Sequence, residues 1–333
     1  MSDDRRRFDG TQEDSRGDVE LATGVGSRID TDQGTSVTPA EPSDEPQPDG
    51  RQASLWHDAF VELRHNPLAI VSALFIVVFV VMAIAPGLFS STDPGPAGCS
   101  LSNSLDRPRP GHPFGFDIQG CDYYTQVIYG ARASIAVGLL TTLSALVIAV
   151  VFGSLAGYYG GKTDAVIARL TDVVFAIPTI LGGIVLLSVV DNKGVFQVSA
   201  VLILLGWTTM LRLMRSAVLS NKEADYVVAA KALGASDLRV LARHILPNAI
   251  APVIVYATIF VGIIISAEAA LSFLGVGLQL PNISWGLQLN AAQNRLLQVP
   301  HLLLFPGLFL SLTIFAFILM GDAMRDALDP KLR

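Results

Sequence analysis

The sequence predicts an all-α integral membrane protein with six transmembrane helices. Of its 333 residues, 51% are hydrophobic and only 16% are charged, whereas a soluble domain usually carries about 25% charged residues. A helix needs roughly 20 apolar residues to cross the hydrocarbon core of a bilayer, and six segments of this kind are present. They cover residues 68–89, 134–159, 173–190, 198–219, 250–274 and 302–320.

Residues 1–54 precede the first of these segments and are predicted to form a disordered acidic tail. Residues 1–50 hold 13 acidic and 5 basic side chains and have almost no large apolar residues. Such a composition cannot bury enough apolar surface to offset the entropy lost on ordering. Two roles stay open for this tail: a solvated leader without a specific partner, or a regulatory or partner-binding arm.

The third apolar segment, residues 173–190, contains residues that interrupt helices. Pro178, Gly182 and Gly183 lie within it. Membrane helices tolerate such residues when neighbouring helices satisfy the freed backbone groups. We therefore expect a span that is interrupted in this region.

The distribution of Lys and Arg predicts the orientation of the chain in the membrane. With the N-terminus inside, 13 of these residues fall in inner segments and 5 in outer segments. Cytoplasmic loops carry an excess of positive charge. The sequence therefore predicts that both the N-terminus and the C-terminus are cytoplasmic.

The first outer loop, at about residues 90–130, is long and rich in Pro and Gly, and it contains Cys99 and Cys121. Disulfides persist outside the cytoplasm. A bridge between these residues would stabilise the folded loop by roughly 3 kcal/mol. The alternative is two unpaired thiols, because the sequence does not show whether the two Cα atoms come close enough. The five histidines are scattered, so we expect no metal site.

A polar segment at residues 221–247, here called the knob, separates the fourth and fifth apolar segments. Asp225 is predicted to cap a short helix, Gly234 to end it in the left-handed conformation, and Ser236 to cap a second helix that runs towards Pro247. The small side chains of Ala229 and Ala230 would let another surface approach the first helix closely. On these residues alone two interpretations stay open: a site gripped by a soluble partner, or a basic hairpin lying on anionic lipid.

The knob resembles the EAA loop of ABC importer permeases. The resemblance rests on Val228-Ala229-Ala230, on Gly234, and on Ile245-Leu246-Pro247; relatives often have Glu where this chain has Val228. In that family the loop contains a coupling helix that docks on an ATP-hydrolysing subunit. The resemblance therefore assigns the following residues to ATPase coupling: Asp225, Tyr226, Ala229, Ala230, Lys231, Gly234, Leu246 and Pro247.

Further segments resemble dipeptide/oligopeptide permeases of the DppC/OppC type, and together they extend the resemblance over residues 55–333. They are residues 65–68, 111–117, 129–132, 267–275 and 281–286. The resemblance divides the chain into a first transmembrane helix with a long outer loop at residues 55–130, and a permease core of five helices at residues 131–333.

The resemblance implies a permease subunit of an ATP-driven importer that moves di- or oligopeptides across the bacterial cytoplasmic membrane by alternating access. The implied partners are a second homologous permease, two ATPase subunits, an extracytoplasmic solute-binding protein and membrane lipid, but no nucleic acid. ATP and Mg²⁺ would bind to the ATPase subunits, and this chain would carry neither a cofactor nor catalytic residues. The alternatives are a permease for nickel complexes or another small solute, and a self-sufficient secondary transporter.

Glu268 lies within the fifth apolar segment. A carboxylate in a bilayer is costly and usually faces the interior of a helix bundle or a wet cavity. Two interpretations stay open: a place near the translocation path or outer gate, or a structural partner for a nearby hydroxyl or backbone donor.

Residues 156–163, Ala-Gly-Tyr-Tyr-Gly-Gly-Lys-Thr, fit a relaxed phosphate-loop pattern. A working phosphate loop follows a buried strand and opens a helix, whereas this one follows an apolar span. The sequence therefore favours a short cytoplasmic turn, with Lys162 anchoring the inner end of the second span.

Overall fold

The computed structural model describes residues 55–328, and the predicted tail at residues 1–54 lies outside this range. The described residues form fourteen α-helices and several short 3-10 and π-helical turns, and their only β-structure is two isolated bridges. In chain order the helices are α1 (Leu55–His65), α2 (Pro67–Ile84), α3 (Tyr123–Ile148), α4 (Ser154–Tyr159), α5 (Gly161–Phe175), α6 (Thr179–Ser188), α7 (Val195–Gly206), α8 (Thr208–Lys222), α9 (Asp225–Ala232), α10 (Asp237–Val240), α11 (Leu246–Ala249), α12 (Ala251–Phe273), α13 (Trp285–Ala292) and α14 (His301–Leu328). The all-helical class is confirmed for this part of the chain.

Four helical runs within residues 55–328 are long and apolar enough to cross a membrane. They are α2, α12, α14 and the continuous run of α3 and α4, which a π-helical turn joins. Two further candidates are bent pairs: α5 with α6, at 79°, and α7 with α8, at 46°. The described residues therefore contain four candidate spans, or up to six if each bent pair is one span.

Helix α3 begins at Tyr123, eleven residues before the predicted start of the second span. The side chain of Asp122 accepts a hydrogen bond from the Thr125 backbone N–H and so satisfies a donor at the helix N-terminus. The apolar pattern missed this first part because it contains several Tyr residues and Arg132. The predicted boundary between residues 130 and 131 therefore falls inside a helix.

The interruption of the third span lies between α5 and α6, next to Pro178. Proline disfavours the helical conformation of the residue before it, which accounts for the position of the break. The expectation that Gly182 and Gly183 also interrupt the helix is wrong, because both are buried inside α6. They lie against Leu205 and Leu271, where a small residue allows close helix packing.

Helix α12 is the most buried of the four long runs. It contacts α3, α8, α13 and α14, and its own side chains are apolar on all faces, as in a helix at the centre of a bundle. One apolar cluster joins α12 to α3, α7, α8 and the knob, and a second joins it to α2, α3, α13 and α14. The knob and the long loop (residues 85–122) lie at opposite ends of the α3–α4 run.

Two other helices differ from the sequence prediction. A separate helix, α1, precedes the first span, and α14 continues eight residues beyond the predicted end at residue 320. The last part of α14 carries Asp322, Arg325 and Asp326, which lowered its apparent length in the apolar pattern. Both differences arise because charged residues lower the mean hydropathy, so an apolar pattern does not reveal helical segments that contain them next to a span.

Candidate functional site

The base of the knob is fixed to the helix bundle by apolar packing. Val227 in α9, Val240 in α10 and Ile245 in the π turn after it are fully buried. They belong to the same cluster as Met214 and Val218 of α8. Full burial of a side chain of this size contributes roughly 1.5–3 kcal/mol. The knob is therefore a packed extension of the bundle.

The turn at the centre of the knob depends on Gly234. This residue has a φ of +83°, and no neighbouring atom lies within 4 Å of a Cβ built there. The Gly234 N–H donates to the Lys231 carbonyl at 2.9 Å, and the Ala235 N–H donates to the Ala230 carbonyl at 3.1 Å. These two bonds form a Schellman motif, which ends α9 and satisfies its last carbonyls.

The start of α9 differs by one residue from the prediction. Asp225 is the first helical residue, and Ala224 occupies the N-cap position without a side-chain bond. A carboxylate in the first turn still interacts favourably with the positive end of the helix. The neighbouring Tyr226 hydroxyl donates to Asn221 Oδ1 at 3.2 Å and accepts from Asn248 Nδ2 at 3.1 Å, so this end of α9 is tied to α8 and to α11.

The outer surface of the knob exposes large apolar side chains. Leu233 is 90% exposed, Leu238 is 72% exposed and Val228 is 58% exposed. Ala229 and Lys231 are also exposed, and Ala230 is partly buried. Apolar groups on a polar segment indicate a contact surface, and the small alanines leave the backbone of α9 approachable.

The last two predicted coupling residues lie in a different part of the knob. Leu246 and Pro247 begin α11, which packs on α8 and α12. Leu246 is partly buried against the apolar cluster at the base, while Pro247 is exposed. These two residues therefore belong to the attachment of the knob, and Ala229, Lys231 and Gly234 to its exposed part.

Glu268 is completely buried inside a network of hydroxyl groups. Its carboxylate accepts hydrogen bonds from Ser134 of α3 at 3.0 Å and from Ser272, one helical turn further along α12, at 2.8 Å. The Ser134 oxygen also accepts from the Trp285 backbone N–H at 3.3 Å. These contacts are the ones expected if Glu268 is a structural partner for nearby hydroxyl groups, because they link α3, α12 and the start of α13. A role in the translocation path stays a prediction.

At the far end of the α3–α4 run, Cys99 and Cys121 form a disulfide. The bridge lines a cavity of about 770 Å³ between the long loop and the segment at residues 280–292. Asp117 also faces this cavity. Burial raises the pKa of the Asp117 carboxyl group. The backbone N–H groups of Gln119 and Cys121 donate to this carboxylate and lower its pKa, but the effect of burial is larger.

The phosphate-loop pattern at residues 156–163 covers the end of α4, a turn and the start of α5. Gly160 and Gly161 both have positive φ in this turn. The segment follows a helix, and the described residues place no strand before it. Its geometry is that of the helix-to-helix turn favoured by the sequence.

Comparison with known proteins identifies the family. Residues 149–333 match the family described as "Binding-protein-dependent transport system inner membrane component". The chain belongs to this family. Residues 54–102 match the "N-terminal TM domain of oligopeptide transport permease C". The family resemblance that the sequence motifs indicated is thereby confirmed.

Individual relatives cover most of this chain. It is 39% identical over 283 residues to the oligopeptide transport system permease protein OppC of Bacillus subtilis (strain 168), which spans 85% of this chain and 92% of the relative. It is 39% identical over 298 residues to the dipeptide transport system permease protein DppC of Alkalihalophilus pseudofirmus, and this match covers 89% of this chain and 97% of the relative. It is 36% identical over 278 residues to the glutathione transport system permease protein GsiD of Escherichia coli O157:H7, and this match covers 84% of this chain and 91% of the relative. These relatives are transport permeases.

Proposed function

We propose that this chain is the membrane-spanning permease subunit of an ATP-driven importer for di- or oligopeptides. Family membership supports a role in binding-protein-dependent transport, and two of the relatives are named for oligopeptides and dipeptides. A third is named for glutathione, which is itself a small peptide. The observation that carries the proposal is the knob, whose base is packed into the helix bundle while its apolar surface is exposed.

The proposed topology has six spans, with both termini and the knob in the cytoplasm of a bacterium. The knob carries Lys222, Lys231, Arg239 and Arg243, and an excess of Lys and Arg favours the cytoplasmic side. In this arrangement each bent pair, α5–α6 and α7–α8, counts as one span. The permease core begins at the start of α3, and α1, α2 and the long loop form the segment before it.

The proposed assembly contains a second homologous permease, two ATPase subunits and an external solute-binding protein. ATP and Mg²⁺ bind to the ATPase subunits, and the knob of each permease docks on one of them. Lipid covers the outer apolar faces of the spans, and no nucleic acid takes part. Closure of the ATPase subunits on ATP pushes the knobs, and the helix bundles then switch between outward-open and inward-open states.

The test is the substitution Gly234→Val in the complete transport complex. Val is strained at positive φ, so the turn after α9 changes and the exposed face of the knob moves. We expect ATP-driven dipeptide uptake into proteoliposomes to fall at least tenfold, while ATP hydrolysis continues and the complex stays intact in the membrane. Uptake and hydrolysis are measured on the same preparation.

Gly111→Val is the matched control. Gly111 has a φ of +87° and equally open surroundings, but it lies in the long loop at the opposite end of the α3–α4 run. This variant carries the same kind of backbone strain and should keep normal coupling. Coupled uptake by the Gly234→Val complex at the level of the Gly111→Val complex would contradict the proposed function of the knob.

A further inference from the structure

The segment that resembles a phosphate loop packs directly on the knob. Helix α4 lies so close to α8 that a Cβ on Gly157 would be 2.8 Å from the Arg215 carbonyl oxygen. The next residue, Tyr158, is 4% exposed. Its side chain belongs to the apolar cluster that also contains Val227 and Val240 of the knob.

Three polar residues of the knob converge on Tyr158. Its hydroxyl donates a hydrogen bond to Asp237 Oδ1 at 2.6 Å, and its backbone carbonyl accepts one from Lys222 Nζ at 2.7 Å. The Lys231 ammonium lies 5.0 Å from the centre of the Tyr158 ring, and that of Lys222 lies at 5.8 Å. Both distances are within the range of a cation–π interaction.

These contacts hold the knob at three separate points. Lys222 is the last residue of α8, just before the knob's first helix. Lys231 lies in the last turn of that helix, and Asp237 begins α10 after the Gly234 turn. One tyrosine therefore fixes the relative positions of α8, α9 and α10.

The helix that carries Tyr158 is not adjacent to the knob in the sequence, because the knob directly follows α8 and leads into α12. The α3–α4 run extends over 37 residues from Tyr123 to Tyr159. Its first residues, including Tyr123 and Gln126, line the cavity beside the disulfide. Contact through Tyr158 thus connects the knob to a third helical run that reaches the opposite end of the molecule.

We propose that Tyr158 is a positioning residue for coupling, through which displacement of the knob is passed to the α3–α4 run. The inference rests on the proposed function, because it assumes that the knob is moved by an ATPase subunit. It assigns to Tyr158, within the segment that resembles a phosphate loop, a role that is mechanical and involves no nucleotide.

The test is Tyr158→Phe in the complete complex with its ATPase subunits and solute-binding protein, reconstituted in proteoliposomes. The substitution removes one hydroxyl but keeps the ring and the backbone acceptor. Substitutions of residues that transmit coupling change its strength by roughly 2- to 30-fold. We therefore expect the number of dipeptides imported per ATP hydrolysed to decrease by a factor in this range. The melting temperature and the amount of assembled complex should stay close to those of the wild type.

Tyr159→Phe is the matched control, because it removes the same group from the next residue, whose side chain is 53% exposed. It should retain the wild-type ratio of import to hydrolysis. Asp237→Ala removes the acceptor of the Tyr158 hydroxyl and should lower the ratio to the same extent as Tyr158→Phe. The double variant Tyr158→Phe/Asp237→Ala should be no worse than either single variant, since all three lack the same bond.

The outcomes separate this inference from the proposed function. A wild-type ratio in Tyr158→Phe, an equal loss in Tyr159→Phe, or additive losses in the double variant would overturn the role of Tyr158 while leaving the importer intact. If the wild-type complex itself showed no ATP-driven uptake, the proposed function and the inference would both fall.

Discussion

At the scale of single residues, Glu268 illustrates how a carboxylate is accommodated within an apolar span. It is enclosed by the hydroxyl groups of Ser134 and Ser272, which belong to two different helices. A buried donor left without an acceptor costs about 1–3 kcal/mol. The carboxylate therefore contributes to stability by accepting hydrogen bonds from these two buried hydroxyl groups.

Replacing Glu268 by Ala should destabilise the protein by about 2–4 kcal/mol, because two buried hydroxyl groups lose their acceptor and a cavity is left. Glu268→Gln keeps one acceptor oxygen and should cost less than half as much. Thermal unfolding of the purified protein in detergent measures both. An unchanged melting temperature in Glu268→Ala, together with reduced uptake, would instead favour a place on the translocation path.

The residues of the knob and of the Glu268 network were not equally predictable from the sequence. The turn at Gly234 follows from local propensity, because glycine tolerates positive φ and the alanines before it favour helix. The partners of Glu268 do not follow from local propensity, because Ser134 is 134 residues away along the chain. Asp237 and Tyr158 are likewise 79 residues apart, and only the folded bundle brings them together.

At the scale of helices and loops, the apolar pattern found the four long helical runs and the two bent pairs but misplaced some of their ends. The start of α3 is set by the cap at Asp122 and by tyrosines, which hydropathy does not register. Helix α1 has charged and apolar residues in alternation with the period of a surface helix, so it lacks the continuous apolar run that marks a span. Capping and amphipathic pattern therefore decide the ends of helices that hydropathy alone cannot place.

The long loop is the element most dependent on a covalent link. The two cysteines are separated by 22 residues, and closing a loop of this size constrains the unfolded chain by about 3 kcal/mol. The double substitution Cys99→Ser/Cys121→Ser should therefore speed hydrogen exchange of backbone amides at residues 93–121, with little change in α12. Wild-type protein treated with a reductant serves as the control and should show the same increase. Equal exchange in oxidised wild type and double variant would contradict this stabilising role.

At the scale of the whole molecule, the knob and the long loop should face different compartments. Leu233 in the knob is 90% exposed and Leu101 in the long loop is 79% exposed, so both suit chemical labelling. In a background without the native cysteines, a membrane-impermeant maleimide should label Leu101→Cys in intact cells. Leu233→Cys should be labelled only after the cells are permeabilised, since the charge distribution predicts that the knob is cytoplasmic.

Labelling of Leu233→Cys in intact cells would reverse the proposed topology and remove the knob from the reach of any cytoplasmic ATPase. Leu101→Cys serves as the internal control for accessibility, because the two leucines have similar exposure. The experiment therefore tests the orientation of the molecule independently of whether transport is active.

The length of the α3–α4 run has a consequence for the depth at which the protein sits in lipid. Tyr129 and Tyr159 stand near its two ends, 30 residues apart, which corresponds to about 45 Å at the rise of an α-helix. A bilayer with its headgroups is about 40–45 Å thick. The run is therefore long enough to cross both headgroup regions, and we expect a thinner bilayer to be accommodated by a tilt of this helix.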